Sequence, residues 1–272
     1  MNAPVRQSAR LPVLTVEKVW GMDQLPAPFA APEGRRIGEI WFEPPPEMDQ
    51  LLVKYLFTSE KLSVQVHPPA AEAPQGSGGK DECWLVIDAQ PGASLAIGFK
   101  QDMPADAIRA AALDGSIEDL LVWHPAQAGD FFYLPAGTVH AIGPGLSLVE
   151  IQQNCDITYR LFDYGRPREL HLDQGMTVAR GGPHDPALRR SLAGTGNPQL
   201  VDGPHFRLDR VDGQPDADLL ARYAGGVLIV PLAGSVSLGD VRIGPGECGW
   251  AASLEIADFS GAGSVLVVQP VG

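Results

Sequence analysis

Basic charge is in short supply in this chain. Its 272 residues carry 33 Asp and Glu against 20 Lys and Arg, for a net charge of −13. Nucleic-acid binders present a basic surface, so that class of partner is excluded. An anionic ligand would need a local basic cluster set against the overall charge. Cysteine is also scarce: Cys83, Cys155 and Cys248 lie far apart, form no C-x-x-C pair and are odd in number. That usage points to free thiols in a reducing compartment, so a cytoplasmic location is expected. No apolar run approaches the roughly 18 residues that cross a bilayer. The opening MNAPVRQSAR lacks the apolar core of a secretory signal, and no membrane partner is expected. Long helical patterns are missing too. With Gly 31 and Pro 25 spread along the chain, many short strands joined by tight turns are predicted.

The organisation follows from strand and turn signals. Residues 1–36 read as an irregular N-terminal arm carrying Trp20-Gly21 and a Pro-rich stretch. Short runs rich in β-branched and aromatic residues then predict strands at 37–42, 51–57, 62–67, 82–88 and 94–99. Pro104 followed by an Ala-rich run predicts a helix over 105–113, with a further turn near 117–121. Strands resume at 131–134, 140–142, 147–152 and 158–163. Gly-rich stretches at 180–183 and 194–198 flank a predicted short helix over 186–192, so 171–200 reads as a linker. Five more short strands are predicted between 206 and 269. The expectation is an all-β protein of two barrels with a few short helices: residues 37–170 and a smaller unit over 201–272.

Two segments carry chemistry. In Leu62-Ser-Val-Gln-Val-His-Pro68, strand alternation puts Ser63, Gln65 and His67 on one face and the apolar residues on the other. The polar face meets either water or a site. The segment Gly129-Asp-Phe-Phe-Tyr-Leu-Pro-Ala-Gly-Thr-Val-His140 has Gly, five residues, Pro, one residue, Gly, two residues, His. This spacing is similar to the second sequence motif of the cupins, though the Asn that usually closes it is replaced by Gly143-Pro144-Gly145. The first cupin motif carries two His one residue apart and then a Glu. Here Gln65 stands for the first His, and Glu82 follows His67 after the loop 76–80. The resemblance implies one divalent ion held by Gln65, His67, Glu82 and His140, and that donor set suits zinc. Elsewhere, Lys54 interrupts the apolar run 51–57. Such a charge must reach water, a partner or a polar cavity.

The segments 62–68, Gly79-Lys-Asp-Glu-Cys-Trp84, 129–140 and Leu148-Val-Glu-Ile-Gln-Gln-Asn154 through Thr158-Tyr-Arg160 together resemble the short bacterial branch of the type I phosphomannose isomerases. That family interconverts mannose 6-phosphate and fructose 6-phosphate. The resemblance implies a zinc ion on the four ligands, catalytic roles for Arg160, Glu150 and Lys80, and substrate contacts from Lys54 and Ser63 near the phosphate. Moving a proton between C1 and C2 needs an electrophile, a base and a phosphate anchor, and these residue types supply all three. The chain departs from the family at Pro69-Ala70-Ala71, where many members carry acidic residues, and it lacks the larger members' helical domain. The 201–272 unit matches none of the ligand set and is expected to be a degenerate barrel without metal. His124, His171 and His184 read as structural or exposed. Two other functions fit parts of the pattern: a non-catalytic sugar-binding cupin, and an iron oxygenase, which would want a His at Gln65.

Overall fold

The structure is a computed structural model and describes residues 7–271. Two sheets form the larger barrel. The first has seven strands, in the order Arg189–Ser191, Asp130–Leu134, Glu82–Ala89, Leu146–Gln153, Leu51–Thr58, Ile37–Phe42 and Val13–Met22. The second has five, in the order Tyr159–Phe162, Val64–Val66, His140–Ile142, Ser94–Phe99 and Leu121–Pro125. All the pairings are antiparallel. A third, six-stranded sheet contains Val227–Gly234 and Ala262–Pro270 at its centre, and a three-stranded sheet completes the C-terminal unit.

Strand alternation explains how the units meet. Leu51–Thr58 is buried along its whole length. Leu51, Val53, Tyr55 and Phe57 point away from the barrel and share one core with Phe206, Leu228, Val230, Leu266 and Val268 of the C-terminal sheet. Lys54 and Leu56, on the opposite face, line the barrel's cavity. One strand therefore serves both as the wall of the site and as half of the interface.

Three sequence expectations need correction. The part of the 1–36 arm that is described is not irregular; residues 1–6 fall outside the described residues. Val13–Met22 pairs with Ile37–Phe42 as an edge strand, and Ser8–Arg10 crosses over to pair with Gly249–Ala251 of the C-terminal sheet. An edge strand keeps one flank in solvent, so Val13, Leu14 and Val19 stay exposed and the usual alternation is blurred. The predicted helix over 186–192 is a single 3-10 turn, Pro186–Leu188, followed by the strand Arg189–Ser191. That strand pairs with Asp130–Leu134, so the stretch read as a linker contributes to the larger barrel's sheet. Its helix is instead Leu172–Val178.

Candidate metal centre and active-site cavity

The turn that delivers His140 shows how local sequence builds the site. Gly137 has φ +88°, and a Cβ there would lie 2.9 Å from the Val178 carbonyl oxygen, so only glycine fits without strain. The Asp81 carboxylate accepts the Ala136 N–H at 2.9 Å and the Tyr133 hydroxyl, fixing the turn against the neighbouring strand. His140 then enters the barrel at the start of its strand, directly opposite Gln65.

His67, Glu82 and His140 converge, and their ligand atoms all lie within 4.8 Å of one another. All three are buried. Each histidine is oriented by a backbone carbonyl. His67 Nδ1–H donates to the Ile157 carbonyl at 2.8 Å, and His140 Nδ1–H donates to the Thr138 carbonyl at 2.9 Å. Both Nε2 lone pairs are thereby left facing Glu82, at 3.4 and 3.3 Å. Carbonyl-oriented imidazoles of this kind are the usual support for metal-ligating histidine.

The fit to an ion rests on unpaired atoms. His67 Nε2 and both Glu82 carboxylate oxygens are buried with no hydrogen-bond partner. Lys80 Nζ lies 3.4 Å from Glu82 but satisfies neither oxygen as a hydrogen bond. A buried carboxylate whose oxygens lack hydrogen bonds is costly, and a coordinated cation would offset that cost. Burial pushes the Glu82 carboxyl up to about 8 against the pull of Lys80. Burial also drives His67 well below the ordinary imidazole range and His140 down to about 4. Both imidazoles are therefore unprotonated at neutral pH, as ligation requires. Gln65 adjoins the cluster with its amide nitrogen 3.2 Å from His140 Nε2, while its oxygen accepts the Ser63 hydroxyl at 3.0 Å. A half-turn of the amide would aim the oxygen at the cluster.

Beside this cluster lies a cavity of about 410 Å³. It is lined by Lys54, Ser63, Gln65, Lys80, Glu150 and Arg160, so the predicted substrate and catalytic positions come together. A cross-strand row organises its floor: Trp41, Lys54, Glu150 and Trp84 are successive register partners. Lys54 Nζ sits 3.4 Å from Glu150 and 4.6 Å from the centre of the Trp41 ring, and Trp84 Nε1–H donates to Glu150 at 2.9 Å. Lys54 and Glu150 are 6% and 5% exposed, so neither reaches water along the strand. Burial opposes both charges. At Glu150, Lys54 and Lys80 outweigh it and hold the carboxyl below its usual range; at Lys54, burial wins and lowers the ammonium. At Lys80, Glu82 and Glu150 outweigh burial and hold the ammonium above its usual range. Arg160 is half-buried, and its guanidinium has no hydrogen bond or ion pair among the described residues.

The cavity also holds residues that sequence reasoning missed: Lys18, Glu39, Trp41, Asp156, Arg168 and His171. His171, expected to be structural or exposed, is a wall of the site. Lys18 and Glu39 pair at 3.2 Å across two strands, one of which was read as irregular. Arg168 is held by both oxygens of Asp163 at 2.6 Å. The reversal of the chain after Phe162 brings Arg168 and His171 back to the cavity, and no spacing rule announced it. His124 and His184 lie outside the cavity.

The fold and the cluster define the class: a cupin-fold protein with, in its larger barrel, a His–Glu–His group that could hold a metal ion. Its curated relatives include proteins named mannose-6-phosphate isomerase. The chain is 38% identical over 197 residues to the mannose-6-phosphate isomerase of Streptococcus mutans serotype c, a match covering 68% of this chain and 61% of that protein. It thus spans about three-fifths of the length of that relative. The crystal structure of the mannose 6-phosphate isomerase from Bacillus subtilis superposes with a TM-score of 0.74 at 22% identity, covering 97% of this chain and 99% of that one. A zinc-bound mannose 6-phosphate isomerase gives a TM-score of 0.68 at 15% identity, covering 98% and 100%. At these identities the structural matches establish the fold. No family model matches the chain.

Proposed function

We propose that the protein is an aldose–ketose isomerase that interconverts mannose 6-phosphate and fructose 6-phosphate. The observation that carries this reading is the juxtaposition of the His67–Glu82–His140 cluster, with its unpartnered His67 Nε2 and Glu82 oxygens, with a cavity lined by a buried Lys54–Glu150 pair and by Arg160. The names of the curated relatives support the choice of substrate.

Gln65, His67, Glu82 and His140 would hold one divalent ion per chain, with zinc favoured by the donor set; when bound it supplies Lewis-acid polarisation of sugar oxygens. The chain's own residues do the rest. Glu150, kept ionised by Lys54 and Lys80, is in the state required to accept a proton. Lys80, kept charged by Glu82 and Glu150, offers a cation to an oxygen that gains negative charge during enediol formation. Arg160, whose guanidinium has no hydrogen bond or ion pair among the described residues, supplies a second cation. Lys54 and Ser63 line the same wall and complete the substrate contacts. Three buried, unpaired thiols support a cytoplasmic location, and no helix among the described residues is long and apolar enough to cross a membrane.

A coupled assay of mannose 6-phosphate isomerisation, before and after chelation and after zinc is restored, tests the reading. Turnover that chelator abolishes and zinc restores is expected. Binding of the phosphosugar without turnover would instead identify a non-catalytic sugar-binding cupin.

A further inference from the structure

Among the residues the isomerase reading leaves unused, His171 has the most constrained geometry. It caps the N-terminus of the helix Leu172–Val178, which packs close against the strand Tyr159–Phe162. Gly175 permits that approach, since a Cβ there would lie 2.3 Å from Leu161 Cδ2. His171 is tied to Arg160 twice. Its backbone N–H donates to the Arg160 carbonyl at 2.8 Å, and the Arg160 backbone N–H donates to His171 Nδ1 at 3.2 Å. Because Nδ1 accepts, it keeps its lone pair, and the ring proton of the neutral imidazole sits on Nε2. His171 is one of the residues that line the cavity, and its Nε2 has no hydrogen-bond partner among the described residues. Arg160 in turn faces Gln65 across the sheet, so the ring is attached to the strand that borders the metal cluster.

A neutral imidazole that borders a site and carries its proton on the nitrogen left without a partner is a hydrogen-bond donor that brings no net charge. We infer that His171 is a further catalytic residue: its Nε2–H donates a hydrogen bond to the sugar oxygen that gains negative charge as the C–H proton leaves for the base. No proton is transferred from His171; the ring serves as a fixed dipole whose tautomer is set by the Arg160 amide. A neutral histidine acting as an electrophile is known from other aldose–ketose chemistry and avoids overstabilising the intermediate. The inference rests on the isomerase reading and adds a residue and a role to it.

Two substitutions separate this role from scaffolding. In His171→Asn the side-chain oxygen can replace Nδ1 as acceptor for the Arg160 N–H, but the Nε2–H donor is gone. In His171→Gln the terminal amide can reach the Nε2 position and donate. With mannose 6-phosphate as substrate, His171→Asn should lower kcat by about 100-fold or more with KM little changed, the scale of one lost oxyanion donor. His171→Gln should stay within about tenfold of wild type. Independently, the ¹⁵N resonances of His171 in the wild-type protein should show the proton on Nε2, a measurement that does not depend on any variant folding. A proton on Nδ1, an Asn variant with wild-type kcat, or equal loss in both variants would each overturn the inference while leaving the isomerase reading intact. Absence of isomerisation by the wild type would sink both.

Discussion

Lys54 and Glu150 show how much one charge pair depends on its setting. Each interrupts an apolar strand, and each is buried against the other. Glu150→Gln removes the ionised carboxylate and with it the ion-pair partner of Lys54; kcat should fall by about 100-fold or more, with a loss of stability of about 3 kcal/mol. Arg160→Ala should lower kcat by a similar factor while leaving the melting temperature nearly unchanged, because its guanidinium has no hydrogen-bond or ion-pair partner among the described residues. Steady-state kinetics with parallel thermal melts check both, and an Arg160→Ala variant with full activity would remove that residue from the mechanism. The metal cluster gives a pH prediction with a definite sign. Without the ion Glu82 keeps its proton up to about 8, while the imidazoles of His67 and His140 are already free of theirs. Binding a divalent ion at pH 7 should therefore release about one proton. Affinity should rise roughly tenfold per pH unit up to about pH 8 and level off above it. Calorimetry in buffers of different ionisation enthalpy measures the released proton directly, and zero release would show that Glu82 is already ionised in the free site.

At the scale of elements, strands carry the site and turns aim it. The 62–68 and 129–140 segments place Gln65, His67 and His140 because a strand alternates and a Pro-x-Gly turn has one workable conformation. Gly137→Ala meets both a left-handed φ and the Val178 carbonyl, and should cost about 1–3 kcal/mol and weaken metal binding by displacing His140. A denaturation midpoint equal to wild type would mean that the turn relaxes freely. These strands were legible because pairing on both sides gave them regular apolar patterns. The edge strand Val13–Met22 was not, since one flank faces solvent and its pairing with Ile37–Phe42 shifts register twice. The strand Arg189–Ser191 was equally hidden: three exposed polar residues carry no pattern of their own, and only pairing with Asp130–Leu134 makes them a strand.

For the whole molecule, the shared core decides how the two β-units depend on each other. The outward row Leu51, Val53, Tyr55 and Phe57 is covered by the C-terminal sheet, and Ser8–Arg10 is stitched into that sheet as well. Truncation after residue 200 should expose this row and give insoluble protein, whereas the full chain stays monodisperse on gel filtration. A soluble, metal-binding 1–200 fragment would show that the larger barrel is self-sufficient. What the sequence determined by itself was the all-β class, the turn and strand that deliver His140, and the shared face of Ser63, Gln65 and His67, because backbone alternation and turn chemistry are local; that this face turns inward was decided by the tertiary structure. It also marked Lys54 as a charge that must reach water, a partner or a polar cavity, without choosing among them. Tertiary structure alone decided that the partner is Glu150, that Lys18, Glu39, Arg168 and His171 join the cavity, and that the Arg160 amide fixes the His171 tautomer. Those contacts link residues from separate strands and loops, and their energies exist only once strand register and burial bring the groups together.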